Sequence, residues 1–413
     1  MTYIVRSILT IALLVLIDYY AYQAWKTVTR NNESIRWVFW VATGLAFAML
    51  VASIVVVLNG TRNSEIFHHT MTVLLVIYVP KIFVCFWMFG EDVWRVGVAF
   101  FENITSSKSS RTSFLPDRRL FISQMAFGFA SIPFLSILYG SWKGKYRFNV
   151  LKQTLEFDDL PEAFDGLKVV QISDLHTGSF DSKDEVLRGL ELINNLSPDV
   201  VLFTGDLVNN DASEMEGWIP IYQKIQAKVG KFSVLGNHDY GDYIPWPSAQ
   251  AKRENFQKIC QSHEDIGFQL LRNESIELKR GDDSIYISGV ENWGKPPFPQ
   301  YGDLDAAYEK VPEDGFKLLL SHDPSHFDEQ VKQYAKNIHV TFSGHTHGMQ
   351  FGVEIPGWFK WSPVKYRYPK WAGLYKEANR YLYVNRGFGY IGFHGRVGIW
   401  PEITLMTLKR KQV

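Results

Sequence analysis

The chain has 413 residues, of which 43 are basic and 43 are acidic, so its formal net charge at pH 7 is zero. This balance excludes a broad nucleic-acid-binding surface as the default interpretation, and no nucleic-acid partner is expected. The two cysteines, Cys85 and Cys260, are too few for a disulfide framework or a cysteine-based zinc cluster. The composition is uneven, because apolar residues are concentrated in about the first 140 positions.

That first part of the chain contains four apolar runs, each long enough to cross the hydrocarbon core of a bilayer as a helix. A cleaved secretory signal is the alternative for the first run, but Ala21-Tyr22-Gln23-Ala24 lacks the small-x-small cleavage spacing, and further apolar runs follow. Pro80-Lys81 interrupts the third run. The sequence therefore predicts a multi-pass integral membrane protein with spans at Tyr3–Trp25, Trp37–Leu58, Thr70–Phe89 and Phe121–Gly140.

Asp18 and Lys81 are charged residues that lie well inside these apolar runs. A charge at the centre of a membrane helix costs about 2.5–3.5 kcal/mol on insertion scales. One interpretation is that each side chain leans toward an interface or a wet bundle interior. The other is that Asp18 and Lys81 pair with each other across two helices.

Basic residues near the spans predict the side of the membrane on which the C-terminal region lies. Four spans put the N-terminus and the C-terminal region on one side, which carries five nearby basic residues against eight on the other. The five are Arg6, Arg62, Lys143, Lys145 and Arg147, and the eight are Lys26, Arg30, Arg36, Arg95, Lys108, Arg111, Arg118 and Arg119. By the positive-inside rule this count favours an extracytoplasmic C-terminal domain, although the loss of the third span would reverse it.

From about Lys145 the pattern changes to short apolar runs separated by polar stretches of helical periodicity. Strands that alternate with helices predict a largely parallel sheet, and late strands with short connections predict a second sheet or an antiparallel edge. The predicted strands are Lys168–Ile172, Val200–Phe203, Phe232–Leu235, Ile285–Ser288, Lys317–Leu320, His339–Phe342, Tyr381–Val384 and Ile403–Leu408, and the predicted helices are Lys183–Asn195, Glu214–Lys228 and Ser248–His263. We therefore expect a transmembrane region at residues 1–144 and an α/β domain at residues 145–413.

Five of the predicted strands are followed by a turn that carries Asp, Asn or His side chains. In open α/β sheets, sites assemble at the carboxyl ends of strands. The five turns contain Asp174-Leu175-His176, Gly205-Asp206, Gly236-Asn237-His238-Asp239, His322-Asp323 and Gly344-His345-Thr346-His347. We expect these turns to converge on one site.

Aspartate, asparagine and histidine without cysteine form a ligand set that suits Mn, Fe, Zn or similar divalent ions. Two cations held roughly 3.5–4 Å apart can clamp the oxygens of a phosphate ester and lower the pKa of a shared water to near 7, which supplies hydroxide for in-line attack. A histidine that is not a ligand can protonate the leaving alkoxide, which is worth on the order of 10²–10⁴ in rate. We assign Asn237 to a metal, His238 to this acid and Asp239 to orienting the imidazole of His238.

With the longer strings VLGNHDYG and SGHTHGMQ, the five motifs resemble those of the calcineurin-like metallophosphoesterase family, in particular its membrane-anchored bacterial branch. The resemblance runs from about Lys168 to the C-terminus and implies a two-sheet α/β sandwich flanked by helices. It also implies a first ion held by Asp174, His176, Asp206 and His347, and a second held by Asp206, Asn237, His322 and His345, with Asp206 bridging. The sequence departs from the family at Met349, where a glycine is expected, and this side chain would narrow the mouth of the pocket.

The segment Trp358–Trp371 mixes aromatic residues with Lys360, Lys365, Arg367 and Lys370. One interpretation is a solvated loop that packs its aromatic side chains on the domain. The other is an interfacial patch, because Trp and Tyr favour the depth of the lipid headgroups and cations favour anionic lipid.

The combined prediction is an α/β protein with an N-terminal four-helix transmembrane region, acting as a membrane-bound phosphohydrolase with two divalent metal ions. Its expected substrate is a phosphodiester or pyrophosphate of a lipid or lipid precursor. One alternative is a phosphomonoesterase or nucleotide phosphodiesterase acting on soluble substrates. Another is a catalytically inactive membrane receptor or scaffold, although such a protein would be expected to have lost ligands or the acid, and this sequence keeps all of them.

Overall fold

The computed structural model describes residues 2–58, 64–104, 116–355 and 357–412. Its internal contacts divide the chain into two units, Met1–Ser141 and Trp142–Val413. Three of the basic residues that were counted for membrane orientation, Arg62, Lys108 and Arg111, lie outside the described residues.

The described part of the first unit consists of long helices. They are α1 (Thr2–Val28), α2 (Glu33–Leu58), α3 (Ser64–Ile104) and α4 (Pro116–Trp142). Three stretches within them are long and apolar enough to cross a membrane, namely Glu33–Val56, Ile66–Phe101 and Arg118–Trp142. Helix α3 continues through Pro80, so Pro80-Lys81 interrupts the apolar run but not the helix. Proline is tolerated in membrane helices because neighbouring groups can satisfy the backbone carbonyl that it leaves without a donor.

Asp18 and Lys81 form an ion pair inside the first unit. Lys81 Nζ lies 2.6 Å from Asp18 Oδ1 and donates a second hydrogen bond of 2.6 Å to Thr43 Oγ1. The Tyr78 hydroxyl donates to Asp18 Oδ2 at 3.0 Å. Of the two interpretations, the structure therefore supports the pairing of Asp18 with Lys81, and the contacts of this pair join α1, α2 and α3. Both side chains are buried, which explains how the helices accommodate two charges.

The second unit alternates strands and short helices. Its strands are β1 (Asn149–Phe157), β2 (Leu167–Ile172), β3 (Val200–Phe203), β4 (Gly230–Ser233), β5 (Gln269–Leu270), β6 (Glu274–Arg280), β7 (Asp283–Gly289), β8 (Phe316–Leu320), β9 (Val340–Ser343), β10 (Val353–Ile355), β11 (Phe359–Trp361), β12 (Gly373–Glu377), β13 (Arg380–Val384) and β14 (Glu402–Arg410). Its helices are α5 (Lys183–Asn195), α6 (Ile219–Tyr222), α7 (Ala249–Asp265), α8 (Leu304–Tyr308) and α9 (Ser325–Glu329).

The strands of the second unit form two six-stranded sheets and one hairpin. The first sheet has the order β1-β14-β2-β3-β4-β5, the second has the order β12-β13-β9-β8-β7-β6, and β10 pairs with β11 alone. Strands β2 to β5 run parallel, as do β7, β8, β9 and β13. Both sheets are therefore mixed, since β14 pairs antiparallel with β2, β6 with β7 and β12 with β13.

Alternation along the strands distributes the apolar side chains between three clusters. Val169 of β2 belongs to a cluster that also includes Leu318 of β8 and Val340 of β9, so this cluster contains side chains of both sheets. Val170, the next residue of β2, belongs to a cluster that contains α5 and α7 side chains. Leu319 of β8 belongs to a third cluster with side chains of α8 and α9.

One predicted helix of the domain is wrong. The stretch Glu214–Lys228 was expected to form a single helix, but it contains the end of a 3₁₀ turn and the four-residue helix α6. Gly217 has a φ of 72°, a left-handed value that ends the turn, and Pro220 lies in the first turn of α6. The helix expected at Ser248–His263 corresponds to α7, and the one expected at Lys183–Asn195 has the predicted bounds.

Candidate metal centre

The five predicted turns follow five strands of the two sheets. Strands β2, β3 and β4 of the first sheet lead into Asp174, Asp206 and Asn237, and strands β8 and β9 of the second lead into His322 and His345. These are neighbouring parallel strands within each sheet, so their carboxyl ends lie along one edge. The structure brings the seven predicted ligands together at these edges, in two groups.

The first group consists of Asp174, His176 and His347, whose ligand atoms all lie within 4.8 Å of one another. His176 Nε2 is 3.0 Å from His347 Nε2, and His347 Nε2 is 3.2 Å from Asp174 Oδ1. All three side chains are buried. The Nδ1 atom of His176 is buried without a hydrogen-bond partner.

The second group consists of Asp206, His322 and His345, again with ligand atoms within 4.8 Å of one another. His322 Nε2 lies 3.1 Å from Asp206 Oδ2 and 3.3 Å from His345 Nδ1. Asn237 joins this group, because its Oδ1 lies 2.7 Å from His345 Nδ1.

Asp206 connects the two groups through one oxygen atom. Its Oδ2 lies 3.1 Å from His322 Nε2 and 3.5 Å from His176 Nε2. Ligand atoms about 2.1 Å from one ion and at right angles to each other are about 3 Å apart, so these separations fit nitrogen and oxygen atoms that surround cations. The residues present therefore fit two divalent ions, which would be held by Asp174, His176, Asp206 and His347 and by Asp206, Asn237, His322 and His345.

The backbone at these residues adopts unusual conformations. Positive φ angles occur at Asp174 (54°), His176 (47°), Asp206 (60°), His345 (70°) and His347 (49°). Each left-handed, non-glycine residue of this kind costs about 1–3 kcal/mol, and such strain persists only where the surrounding structure imposes it. The sheets thus hold five of the seven predicted ligands in conformations that the isolated turns would not choose.

The electrostatics of the two groups favour ionised carboxylates and, at His176 and His345, neutral imidazoles. Burial opposes ionisation, but neighbouring histidines outweigh it and hold the pKa of Asp174 and of Asp206 below the usual range. Burial lowers the pKa of His176 and of His345, which keeps both imidazoles neutral. Burial also disfavours the charged form of His322, but the adjacent Asp206 prevails and raises the pKa of His322 to about 10. Binding of a cation by His322 must therefore release a proton.

A buried carboxylate and a tyrosine hold His345 from the side opposite to the second group. His345 Nε2 lies 2.8 Å from the Tyr368 hydroxyl and 3.4 Å from Asp323 Oδ2, and Tyr368 donates to Asp323 Oδ2 at 3.2 Å. Such a contact fixes the tautomer and the ring orientation of a metal-binding histidine. Asp323 stands next to His322 in the sequence but was predicted to have no role, although its place in the strand-end turn indicated that it lies at the site. Tyr368 was not predicted as a partner of His345.

His238 lies beside the two groups. Its ring centroid is 4.9 Å from that of His176 and 4.5 Å from that of Tyr243. Its Nδ1 is 2.7 Å from the backbone oxygen of Asn209, and its backbone N–H donates to Asp206 Oδ1 at 2.9 Å. A ring whose Nδ1–H donates to a carbonyl keeps Nε2 free to exchange a proton.

The role predicted for Asp239 is wrong. Its carboxylate accepts hydrogen bonds from the backbone N–H groups of Asp206 (3.0 Å), Leu207 (2.9 Å), Val208 (3.4 Å) and Gly236 (2.8 Å), and the imidazole of His238 is held by Asn209 instead. Burial, together with the charge of Asp206, raises the pKa of Asp239 to about 7. Asp239 therefore shapes the Asp206 turn, because four donors that would otherwise be unsatisfied converge on it.

Comparison with known families identifies the chain. Residues 167–349 match the family model described as calcineurin-like phosphoesterase. The chain thus carries a calcineurin-like phosphoesterase domain, and enzymes of this family typically bind divalent metals. Residues 2–145 match a second model, described as the transmembrane domain of a probable calcineurin-like phosphoesterase, which makes this chain a membrane member of the family.

Curated relatives are similar over 61–66% of the chain. An uncharacterized metallophosphoesterase, YkuE of Bacillus subtilis, is 28% identical over 276 residues, which are 66% of this chain and 89% of that protein. The UDP-2,3-diacylglucosamine pyrophosphatase LpxG of Chlamydia muridarum is 29% identical over 300 residues, covering 61% of this chain and 88% of that protein. A transmembrane protein with metallophosphoesterase domain from Danio rerio is 27% identical over 281 residues, covering 66% of this chain and 60% of that protein.

Proposed function

We propose that this chain hydrolyses a pyrophosphate or phosphodiester bond in a lipid or lipid precursor, with two divalent ions bound by the seven ligands named above. The observation that carries the proposal is the position of Asp206 Oδ2, which lies within 3.5 Å of a histidine nitrogen of each ligand group. An oxygen in this position could contact an ion in each group. When bound, such a pair of ions binds phosphate oxygens and lowers the pKa of water toward neutrality.

The chain's own residues would perform the remaining tasks. His238 would donate a proton to the leaving oxygen from Nε2, since the Asn209 carbonyl occupies its Nδ1 side. Asp323 and Tyr368 would keep the ring of His345 in place, and Asp239 would keep the Asp206 turn in place. Burial of the ligands excludes bulk water and strengthens each electrostatic contact.

The lipid part of the proposal rests on two supports. The chain carries apolar helices that can cross a membrane, so a lipid substrate would be close at hand. In addition, the Chlamydia relative is named as a pyrophosphatase of a diacylated sugar nucleotide. We therefore favour a phosphate bond in an acylated molecule over a soluble ester.

We further propose that α1 is a fourth span, that the two six-stranded sheets form the layers of a sandwich, and that residues 145–413 form the catalytic domain. The cluster that draws side chains from both sheets supports the sandwich, and the Thr2–Val28 length of α1 supports the span. The excess of basic residues, eight against five, supports an extracytoplasmic catalytic domain.

Two substitutions separate the ligand role from the acid role. Asp206→Asn should lower the metal content and abolish turnover, because the shared oxygen serves both ions. His238→Gln should retain the metals and lower kcat by about 10²–10⁴-fold. Metal analysis and hydrolysis of a chromogenic phosphodiester measure both quantities, and Asp305→Asn, which alters an exposed carboxylate on α8, is the matched control. If His238→Gln empties the site, the division of roles is incorrect.

The substrate class is tested with the metal-loaded full chain in detergent. We expect turnover of acylated pyrophosphates to exceed that of water-soluble nucleotides and phosphomonoesters. Faster turnover of the water-soluble nucleotides or phosphomonoesters would favour an enzyme that acts on soluble substrates. Metal binding without hydrolysis of any of these esters would favour a receptor or scaffold.

A further inference from the structure

The hairpin of β10 and β11 has its polar and apolar faces reversed. Val353 pairs with Trp361, Glu354 with Lys360 and Ile355 with Phe359, so the apolar residues share one face and the two charged residues share the other. In a soluble domain, the apolar face of an antiparallel pair packs on the core and the polar face meets water. In this hairpin the charged side chains are the ones that bond to the rest of the domain.

Two charged side chains anchor the hairpin. The Glu354 carboxylate accepts a bidentate pair of hydrogen bonds from Arg386, at 3.0 Å from Nε and 2.6 Å from Nη2, and Arg386 also bonds Glu402 at the start of β14 at 2.5 Å. Lys360 donates to the backbone oxygen of Ala372 and, at 3.2 Å, to the Tyr375 hydroxyl. Bidentate charge-assisted contacts of this kind fix orientation. The outward direction of the opposite face is therefore built into the fold.

The outward face is strongly exposed. Val353 is 50%, Ile355 45%, Phe359 49% and Trp358 81% exposed. Of the ten large hydrophobic side chains that are exposed among the described residues from 143 onward, six lie between Met349 and Tyr366. Scattered exposed hydrophobic residues are ordinary, but a concentration of this kind marks a contact surface.

We propose that the exposed apolar side chains of this face, Val353, Ile355 and Phe359, dock onto the surface of a lipid bilayer together with the exposed Trp358 of the hairpin turn. The occupant follows from two further features. Exposed Lys365 and Arg367 lie next to exposed Tyr366, and this combination of cations and aromatic rings suits an anionic headgroup layer. The same polypeptide also carries membrane-capable helices, so a bilayer is always present at high local concentration.

The docking surface connects to the candidate metal centre through short contacts. Ser362, which follows β11 directly, donates from its hydroxyl to the backbone oxygen of Gly348 at 2.7 Å, next to the ligand His347. Tyr368 contacts His345 at 2.8 Å. A bilayer bound at the hairpin would therefore lie close to the bond-breaking site. This inference goes beyond the proposed function, since docking requires neither metals nor turnover.

Docking is tested on the full chain in nanodiscs of phosphatidylglycerol. Both native cysteines are first replaced, by Cys85→Ser and Cys260→Ser. Trp358→Cys then carries an environment-sensitive NBD label. Val229→Cys carries the same label as the matched control, because Val229 is an apolar residue that is 47% exposed. Phosphatidylglycerol brominated near the top of its acyl chains should quench the label at 358 and leave the label at 229 unchanged. Quenching at 358 should be weaker when phosphatidylcholine replaces phosphatidylglycerol in the nanodiscs. It should also be weaker when the labelled protein carries the substitutions Lys365→Gln and Arg367→Gln.

Two results would overturn the proposal. One is equal quenching, or none, at the two labelled positions. The other is an emission change at 358 that follows the number of protein copies per disc instead of the bromine, which would assign the face to a second copy of the chain. Neither measurement uses activity, so failure here is distinguishable from failure of the proposed reaction.

A second pair of measurements asks what docking does, and these rest on the proposed function. Trp358→Asp/Phe359→Asp should lower turnover of a membrane-embedded pyrophosphate by about tenfold or more, the factor expected when burial of a large aromatic side chain is lost. Turnover of a soluble chromogenic diester should stay unchanged. Equal losses on both substrates would contradict a role in membrane access.

Discussion

The ion pair between Asp18 and Lys81 makes a quantitative prediction about the membrane unit. Removing one member of a buried pair leaves the other charge uncompensated, which typically costs about 3–5 kcal/mol. Asp18→Asn leaves the Lys81 ammonium with Thr43 at 2.6 Å, and Lys81→Gln leaves the Asp18 carboxylate with Tyr78 at 3.0 Å. Because each charge keeps one polar neighbour, we expect about 2–4 kcal/mol for each single substitution.

The double substitution removes both charges together, so it should cost less than the sum of the single substitutions by about 2 kcal/mol or more. The free energy of unfolding in mixed micelles of SDS and a mild detergent measures all four corners of the cycle. The same cycle on Asp92 and Arg95, an i,i+3 pair on α3 that is 2.8 Å apart and partly exposed, is the control and should couple by less than about 0.5 kcal/mol. Additive losses at Asp18 and Lys81 would refute the reasoning.

Three further predictions concern the second unit. Asp323→Asn should weaken metal affinity by about 10–100-fold, because His345 loses its carboxylate partner. Calorimetric titration measures this affinity, and an unchanged value would exclude a role for Asp323 in orienting His345. Met349→Gly should raise the free energy of unfolding by about 0.5–1 kcal/mol, because Met349 has a φ of 54° and is exposed, whereas Met349→Ala should give no gain. His263 is buried, and burial lowers its pKa to about 3. Below pH 6.5 the unfolded chain therefore takes up a proton that the folded chain excludes. The free energy of unfolding then decreases as the pH falls from 6.5 toward 3. Between pH 7 and 4.5 this loss should reach about 2–3 kcal/mol, and His263→Gln should remove it from the denaturation profile, while an unchanged profile would contradict it.

The convergence of the five turns could be predicted because the information is local. Each of Asp174, Asp206, Asn237, His322 and His345 stands within a few residues of a strand end, and the strands could be read from their apolar runs. The pairing of Asp18 with Lys81 was accessible for a similar reason, since few charges interrupt the apolar runs. Polar residues that follow a predicted strand, or charged residues inside an apolar run, can therefore be assigned to a site or a pair from sequence.

The predictions that are wrong or missing depend on features that side-chain identity does not encode. Asp239 bonds backbone N–H groups, and any residue can supply such a group, so its neighbour His238 suggested the wrong partner. The helix expected at Glu214–Lys228 relied on periodicity and gave too little weight to Gly217. The β10 and β11 strands were not predicted, because three-residue strands are too short for an alternating pattern to stand out.

A carboxylate oxygen that serves two positions also makes their loading interdependent. If Asp206 Oδ2 contacts both cations, the arrival of one alters the field and the orientation that the other meets. Thermodynamic reciprocity then requires that each ion change the affinity of its neighbour by the same factor. A titration with one kind of cation should accordingly resolve two linked steps, and mixed-metal preparations should settle into preferred arrangements instead of a random distribution.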